Sequence, residues 1–318
     1  MATRPFPNVT AAIGRRYDFL NFFNGRVAVR ELEVGFPPVV QSAPGPIFSQ
    51  LAREHPWDIG EQGFSTYLMA YDLGKPQLAL PVFPSRFFPH LGAWVGNQSG
   101  IRTPQDLVGR RVGCNSFGAN YGVWLRGVLA HQYDVPVERI TWVTTGEEHL
   151  PEYQPPRRMG IERVAGSGVP QLLARGAVDA ASLPAGGVGV DQDRARRLFE
   201  DPYAECRAFG RQFGFVPANT VITVSREAVQ RVPEMPRLMF EAFAEAMGQY
   251  EADIAAGKED EHMGLSLRQL DAAAGLKLPP YGFKANRDCI QAMITFCYEQ
   301  GIIRKWVTPE DLFLLADG

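Results

Sequence analysis

Between Trp57 and Val95 the chain reads strand, helix, strand, loop, strand, and this order commits it to a layered α/β architecture. The apolar run at Trp57-Asp-Ile-Gly60 predicts a buried strand. A helix is expected from about Gly63 to Leu73, stopped by Gly74 with Pro76 beyond it, the usual order of helix-ending residues. The next strand, Gln77 to Val82, empties into Phe83-Pro84-Ser85-Arg86. Arg86 is therefore a guanidinium delivered at the carboxyl end of a strand, where open α/β sheets bind ligands, and it points to an anionic ligand.

The rest of the 318 residues continues the alternation. Strands are expected near Val9–Ile13, Arg26–Phe36, His90–Gly96, Arg111–Cys114, Ile140–Thr145, Ala177–Leu183 and Thr220–Val224, with a Pro-rich loop over Pro37–Pro46 and a short helix over Ile47–Glu54. Thr103-Pro-Gln-Asp106 and Thr308-Pro-Glu-Asp311 have the Thr-Pro-x-Asp form of a capping box. Further helices are predicted from the Asn115–Tyr121 turn to about Tyr133 and over Gln171–Arg175, Met235–Ala255 and Ala285–Gln300; the last has Ile290, Met293, Ile294 and Cys297 on one face. Strands alternating with helices imply doubly wound, mostly parallel sheets. A net charge of -3 gives no reason to expect nucleic acid or an anionic membrane as partner, and no apolar run approaches membrane-spanning length. The N-terminus lacks the apolar core of a secretory signal, and the four cysteines form no CxxC pair; both read as a cytoplasmic protein with free thiols. The sequence leaves the oligomeric state open, a homo-oligomer among the options.

Several residues are suited to chemistry. Arg86 can hold a carboxylate with a bidentate fork that Lys cannot copy; its structural alternative is a salt bridge. Asn115-Ser-Phe-Gly-Ala-Asn120 is a strand-to-helix turn whose free amides would cradle an anion, with Asn115, Ser116, Gly118, Ala119 and Asn120 as contacts; a plain helix cap is the alternative. His90, with an ordinary pKa near neutrality, could move a proton, although a lone histidine is as readily a packed one. Glu61 could accept a proton or bind a hydroxyl, or simply favour the start of the following helix. Ser65 could donate to a ligand or bond locally to the backbone, and Asn219 is a polar contact where the chain crosses back. His149 is a second histidine that could move a proton, with a place in a solvated acidic loop as its alternative. His55 reads as exposed, Trp124 as core and Arg126 as a salt-bridge partner. No HxxxH, HExxH or paired-cysteine set occurs, so no metal is expected, and no nucleotide-binding or nucleophile-elbow motif is present.

Asp58-Ile-Gly-Glu-x-x-x-Ser-x-Tyr-Leu-Met-Ala70 and Leu80-Pro-Val-Phe-Pro-Ser-Arg-x-Phe-x-His90 resemble the bacterial 4,5-dihydroxyphthalate decarboxylase family. The likeness continues through Gly100–Gly113, Val123–Gly127, Trp142–Gly146, Tyr281–Arg287 and Glu299–Gly301, and is thin between Pro151 and Gln212. The resemblance implies a two-lobed, type II periplasmic-binding-protein-like fold with a ligand cleft, lobe I being residues 1–93 plus 220–318 and lobe II residues 94–219. It also implies non-oxidative decarboxylation of a hydroxylated aromatic acid without a cofactor. Arg86 and the Asn115–Asn120 turn would then hold carboxylate, and His90 or Glu61 would handle the proton. Two family features are missing: Gly214-Phe-Val-Pro-Ala-Asn-Thr220 lacks the expected histidine, and Asp179-Ala-Ala-Ser-Leu-Pro-Ala-Gly186 lacks an arginine. Loss of those groups implies either a diverged decarboxylase for another aromatic acid or, as the alternative it favours, a solute-binding protein that captures a small aromatic carboxylate without turnover.

Overall fold

The structure is a computed structural model; it describes residues 6–15, 19–29, 31–37, 44–184, 187–258 and 277–315, together with 269, 272, 273 and 275. In chain order its elements are β1 (Asn8–Ala12), α1 (Leu20–Phe23), β2 (Glu33–Gly35), α2 (Pro44–Arg53), β3 (Ile59–Gly63), α3 (Phe64–Asp72), β4 (Gln77–Leu80), β5 (Ala93–Gly96) and β6 (Arg111–Cys114). There follow α4 (Asn120–Tyr133), β7 (Thr141–Thr144), β8 (Gly160–Arg163), α5 (Val169–Ala174), β9 (Ala180–Ser182), β10 (Ala195–Arg197), α6 (Pro202–Phe213) and β11 (Thr220–Ser225). The chain closes with α7 (Arg226–Arg231), α8 (Met235–Ala255), α9 (Phe283–Glu299) and α10 (Pro309–Leu312).

The strands form two sheets, ordered β2-β1-β3-β11-β4 and β10-β5-β9-β6-β7-β8. In the first, β1 runs parallel to β2 and β3, while β11 is antiparallel to β3 and β4. In the second, β9, β6, β7 and β8 are parallel, and β5 runs antiparallel to both of its neighbours, β9 and β10. β5 thus carries the chain into the second sheet, and β11 returns it to the first. These are α/β layers with mostly parallel sheets, as the strand–helix alternation implies.

β3 is buried at every position, because α2 and α3 cover one face and the sheet lies within the core. Gly63 leads directly into α3, which ends before Gly74, whose φ of +74° is a conformation that suits a residue without Cβ. Both Thr-Pro-x-Asp segments close as capping boxes. An apolar core continues from α3 through Val123, Trp124 and Val128 of α4 into Ile290, Met293 and Phe296 of α9. A second cluster under the first sheet joins Phe19 and Phe22 to Phe243 of α8.

The differences from expectation have local causes. Only Glu33–Gly35 of the 26–36 stretch pairs as strand. His90 lies in a 3-10 turn, Pro89–Gly92, rather than in the crossing strand, since two prolines bracket the loop that delivers it. β8 and β10, both largely polar, occur where sequence patterning is weak, whereas α6 is an additional helix that is amphipathic, capped by Asp201 and ended by Gly214. The Pro37–Pro46 loop falls partly outside the described residues, and its last three positions begin α2. Cys114, Cys206, Cys289 and Cys297 are all buried free thiols. Among the described residues no helix is long and apolar enough to cross a membrane.

Candidate functional site

The two sheets meet where α3 and α4 begin. β3 brings Glu61 to the seam, and β11 lies antiparallel beside it with Ile222 opposite Glu61. The Thr220 hydroxyl donates to Glu61 Oε1 at 2.7 Å and accepts from the Ser85 N–H at 3.1 Å, while the Asn219 N–H donates to the Ser85 carbonyl at 2.7 Å. The carboxylate is thereby tied to the loop after β4 and to the start of β11.

α3 begins at Gly63 without a side-chain cap of its own. Its first amides are served across the seam instead: the Ser65 N–H donates to Asn120 Oδ1 at 2.8 Å, and the Ser65 hydroxyl donates to the Gly118 carbonyl at 2.8 Å. Asn120 Nδ2 donates in turn to Asn219 Oδ1. Two helix N-termini therefore converge, and their positive dipole ends favour negative charge between them.

That charge comes from the chain itself. Glu148 Oε1 accepts from the Phe117 N–H at 2.7 Å and Oε2 from the Gly118 N–H at 3.0 Å. Gly118 permits this approach: a Cβ there would stand 2.8 Å from Glu148 Oε2 and 2.5 Å from Met69 Cε. Burial pushes the Glu148 carboxyl above the ordinary carboxylate range, outweighing the two amides, Arg126 and Ser116, which act in the opposite direction. The neighbouring His149 shares a 2.8 Å hydrogen bond with the Thr66 hydroxyl, and its carbonyl accepts from Arg53 Nε at 2.9 Å. Burial, then the Arg53 charge, lowers the pKa of this imidazole.

Beneath the turn lies Arg126, fully buried. Its Nε donates to Gln300 Oε1 at 2.6 Å, its Nη2 donates to the Phe117 carbonyl, and its plane sits 3.9 Å from the Phe117 ring centre. Among the described residues Nη1 has no hydrogen-bond partner, and neither has the nearby Tyr153 hydroxyl. Arg126 forms no ion pair among the described residues, contrary to the salt-bridge expectation.

The structure thus brings together Glu61, Ser65, Ser116, Gly118, Asn120, Asn219 and the candidate histidine His149, and adds Glu148, Thr66 and Thr220. It leaves others elsewhere. Ala119 spends its N–H on the Ser116 carbonyl and so offers no free amide. Asn115 is exposed at the rim, where its carbonyl accepts from Thr145 and Gly146. Arg86 Nη1 donates to the Val216 carbonyl at 2.8 Å and its Nη2 to Asn286 Oδ1, so both terminal nitrogens are committed to protein acceptors rather than presented to a ligand. His90 is the clearest correction. It is wholly buried among Phe88, Tyr133, Phe199 and Phe209 and bonded to Gln132, twelve residues along α4 from Asn120, or roughly 18 Å at 1.5 Å per residue. Burial holds its pKa down at about 4, so it is a neutral core residue and not a proton carrier for this seam. His55 is also buried, bonded to the Trp57 carbonyl and the Thr223 hydroxyl. Among the described residues no group of three or more His, Cys, Asp or Glu side chains is placed to hold a metal.

Glu148 and His149 carried little sequence signal, because Glu147-Glu-His-Leu-Pro-Glu152 has the composition of a solvated loop. The one available clue was that Leu150 and Tyr153, apolar residues in a polar stretch, anchor that loop to the core.

Two mostly parallel sheets, crossed by β5 and β11 and meeting at paired helix starts, define a periplasmic-binding-protein-like fold. The aliphatic sulphonate binding protein SsuA of Escherichia coli matches it over 99% of this chain and 100% of its own at a TM-score of 0.58, with 15% identity. The desulfurization enzyme DszB matches over 96% of each chain at a TM-score of 0.57, also with 15% identity. In sequence, the chain is similar to 4,5-dihydroxyphthalate decarboxylase of Comamonas testosteroni, 27% identical over 304 residues that cover 87% of this chain and 88% of that one. It is similar also to the enzyme of the same name from Pseudomonas putida, 30% identical over 142 residues, covering 44% of this chain and 54% of that one. No family model matches the chain. The resemblance read from the Asp58–Ala70 and Leu80–His90 motifs is thus matched by curated relatives.

Proposed function

We propose that this protein decarboxylates a hydroxylated aromatic carboxylic acid of the 4,5-dihydroxyphthalate type at the seam between its sheets. The observation that carries the reading is the similarity, along most of the chain, to a protein of that activity. In such a reaction the bond between ring and carboxyl carbon breaks, CO2 leaves, and a proton takes its place on the ring. A ring bearing hydroxyls can accept the electron pair itself. The protein's share is to hold the carboxylate, place a proton and exclude water. Ser65, Ser116, Gly118, Asn120 and Asn219 are the polar contacts proposed for the acid, with Glu61, relayed through Thr220, beside them. Residues 1–93 with 220–318 and residues 94–219 are the proposed lobes, opening about the β5 and β11 crossings to admit the ligand.

The test is incubation of the purified protein with a panel of hydroxyphthalates and hydroxybenzoates. Protein-dependent release of CO2 with a matching hydroxylated product is expected for at least one member. The second reading, capture of such an acid without turnover, is favoured by the sulphonate-binding protein among the fold's neighbours and by the burial of His90. Tight binding across the panel with no product would select it and remove the enzyme.

A further inference from the structure

The α4 turn was expected to cradle an anion, and the structure shows it cradling one of the chain's own. Two observations bear on this contact independently. Glu148 spans the Phe117 and Gly118 amides with both oxygens, as a bound carboxylate would. Close by, the fully buried Arg126 guanidinium keeps Nη1 without a partner, and Nη1 is the nitrogen that a Cβ at Gly122 would meet at 3.3 Å, at the start of the same helix. The Tyr153 hydroxyl, likewise buried without a partner, is subject to the charge of both Glu148 and Arg126. A buried cation with an unused donor is costly, and a carboxylate is the group that relieves it.

We propose that the Phe117 and Gly118 amides are the seat of the substrate's carboxylate, that Glu148 occupies this seat in the ligand-free protein, and that Glu148 vacates it for a second seat on Arg126 Nη1 and the Tyr153 hydroxyl. The inference rests on the decarboxylase reading for the class of acid, and it assigns the atoms that bind it. The exchange conserves charge pairing: one carboxylate leaves the paired helix starts as another arrives, and the displaced one meets the guanidinium beneath. Gly118 belongs to the device, since any side chain there would clash with an anion on these amides. The titratable and charged groups facing Glu148 are Arg126 of α4, Tyr153 of the following loop and Cys114 at the end of β6. Protonation of Glu148 weakens its hold on the amides, so acidification favours the incoming carboxylate.

The experiment is calorimetric titration with 3,4-dihydroxybenzoate, which keeps a carboxylate and is the product expected from 4,5-dihydroxyphthalate. Glu148→Gln retains the shape but not the charge. If Glu148 holds the seat in about nine of ten wild-type molecules, this variant binds about tenfold more tightly. The affinity of the wild type relative to Glu148→Gln rises as pH falls, the probe's own titration being common to both proteins. Tyr153→Phe removes part of the second seat and loses affinity. Should either variant fail to fold, the other decides alone. Binding to wild type that Glu148→Gln leaves unchanged or weakens, or that Tyr153→Phe leaves unchanged, overturns the seat exchange and spares the decarboxylase reading. No binding to wild type or to either variant also overturns the seat exchange, while the decarboxylase reading stands or falls on turnover across the panel.

Discussion

Arg86 and Arg126 are both buried guanidiniums, and they differ in which nitrogens are served: Arg86 uses both terminal nitrogens, whereas Arg126 uses Nε and Nη2 and leaves Nη1 without a partner among the described residues. Arg86 reaches the Val216 carbonyl and the Asn286 amide oxygen, and lies over the Phe83 ring. Asn286 is itself fixed by donating to the Pro280 and Gly282 carbonyls, so this arginine is held by residues from the loop before β11 and from α9. An ammonium cannot span both acceptors. Arg86→Lys is expected to lower the unfolding free energy by about 2–3 kcal/mol, the scale of a lost hydrogen bond to a charged group with its acceptor left buried. Urea titration checks this, and a variant of wild-type stability would mean that neither contact matters to the fold. The position of Arg86 at a strand end was legible from its neighbours in sequence. Its acceptors, 130 and 200 residues away, were not, because nothing local to Pro84–Arg86 encodes them.

At the scale of elements, legibility follows the strength of the local signal. Arg111–Cys114 and Met235–Ala255 lie where the patterning puts them, and both Thr-Pro-x-Asp segments form the expected caps. β8 and β10 escape notice because they are short and carry charged side chains outward, so their pairing depends on the neighbouring strand. α4 shows what periodicity cannot report. Its apolar positions predict a helix, but its closeness to α9 is set by one residue. A Cβ on Gly127 would stand 2.1 Å from the Phe296 ring, which is buried and packed on Trp124. Alanine would ordinarily strengthen a helix interior by up to about 1 kcal/mol. Here overpacking should prevail, and Gly127→Ala is expected to destabilise by about 1–3 kcal/mol. Pairing it with Phe296→Leu should recover part of the loss in a double-mutant cycle; strict additivity of the two would show that the contact is not what forbids alanine.

Across the whole molecule, the site is assembled from four stretches separated in sequence, 61–66, 116–120, 148–149 and 219–220, and only the two-sheet topology makes them neighbours. The helix-start cradle was readable because it is a local geometry. Its occupant was not, because a loop rich in glutamate gives no sign of which carboxylate turns inward. Histidine burial is equally a property of the fold, and it sets how stability responds to acid. His55, bonded to the Trp57 carbonyl and the Thr223 hydroxyl, and His90, bonded to Gln132, are each held by burial at about 4 against an ordinary 6.5. Above 6.5 both are neutral folded and unfolded alike, and stability is at its full value. As pH falls below 6.5 the unfolded chain binds protons that the folded chain refuses until about 4, so stability declines through that window, by on the order of 3 kcal/mol for each group. His90→Leu suits the aromatic surroundings and leaves the half-exposed Gln132 to water. Denaturant melts from pH 7 to pH 4 should therefore show a shallower loss in this variant than in wild type, by about half of the contribution that His55 and His90 make together. Parallel curves would mean that the His90 imidazole is protonated within the core and that its aromatic neighbours tolerate the charge.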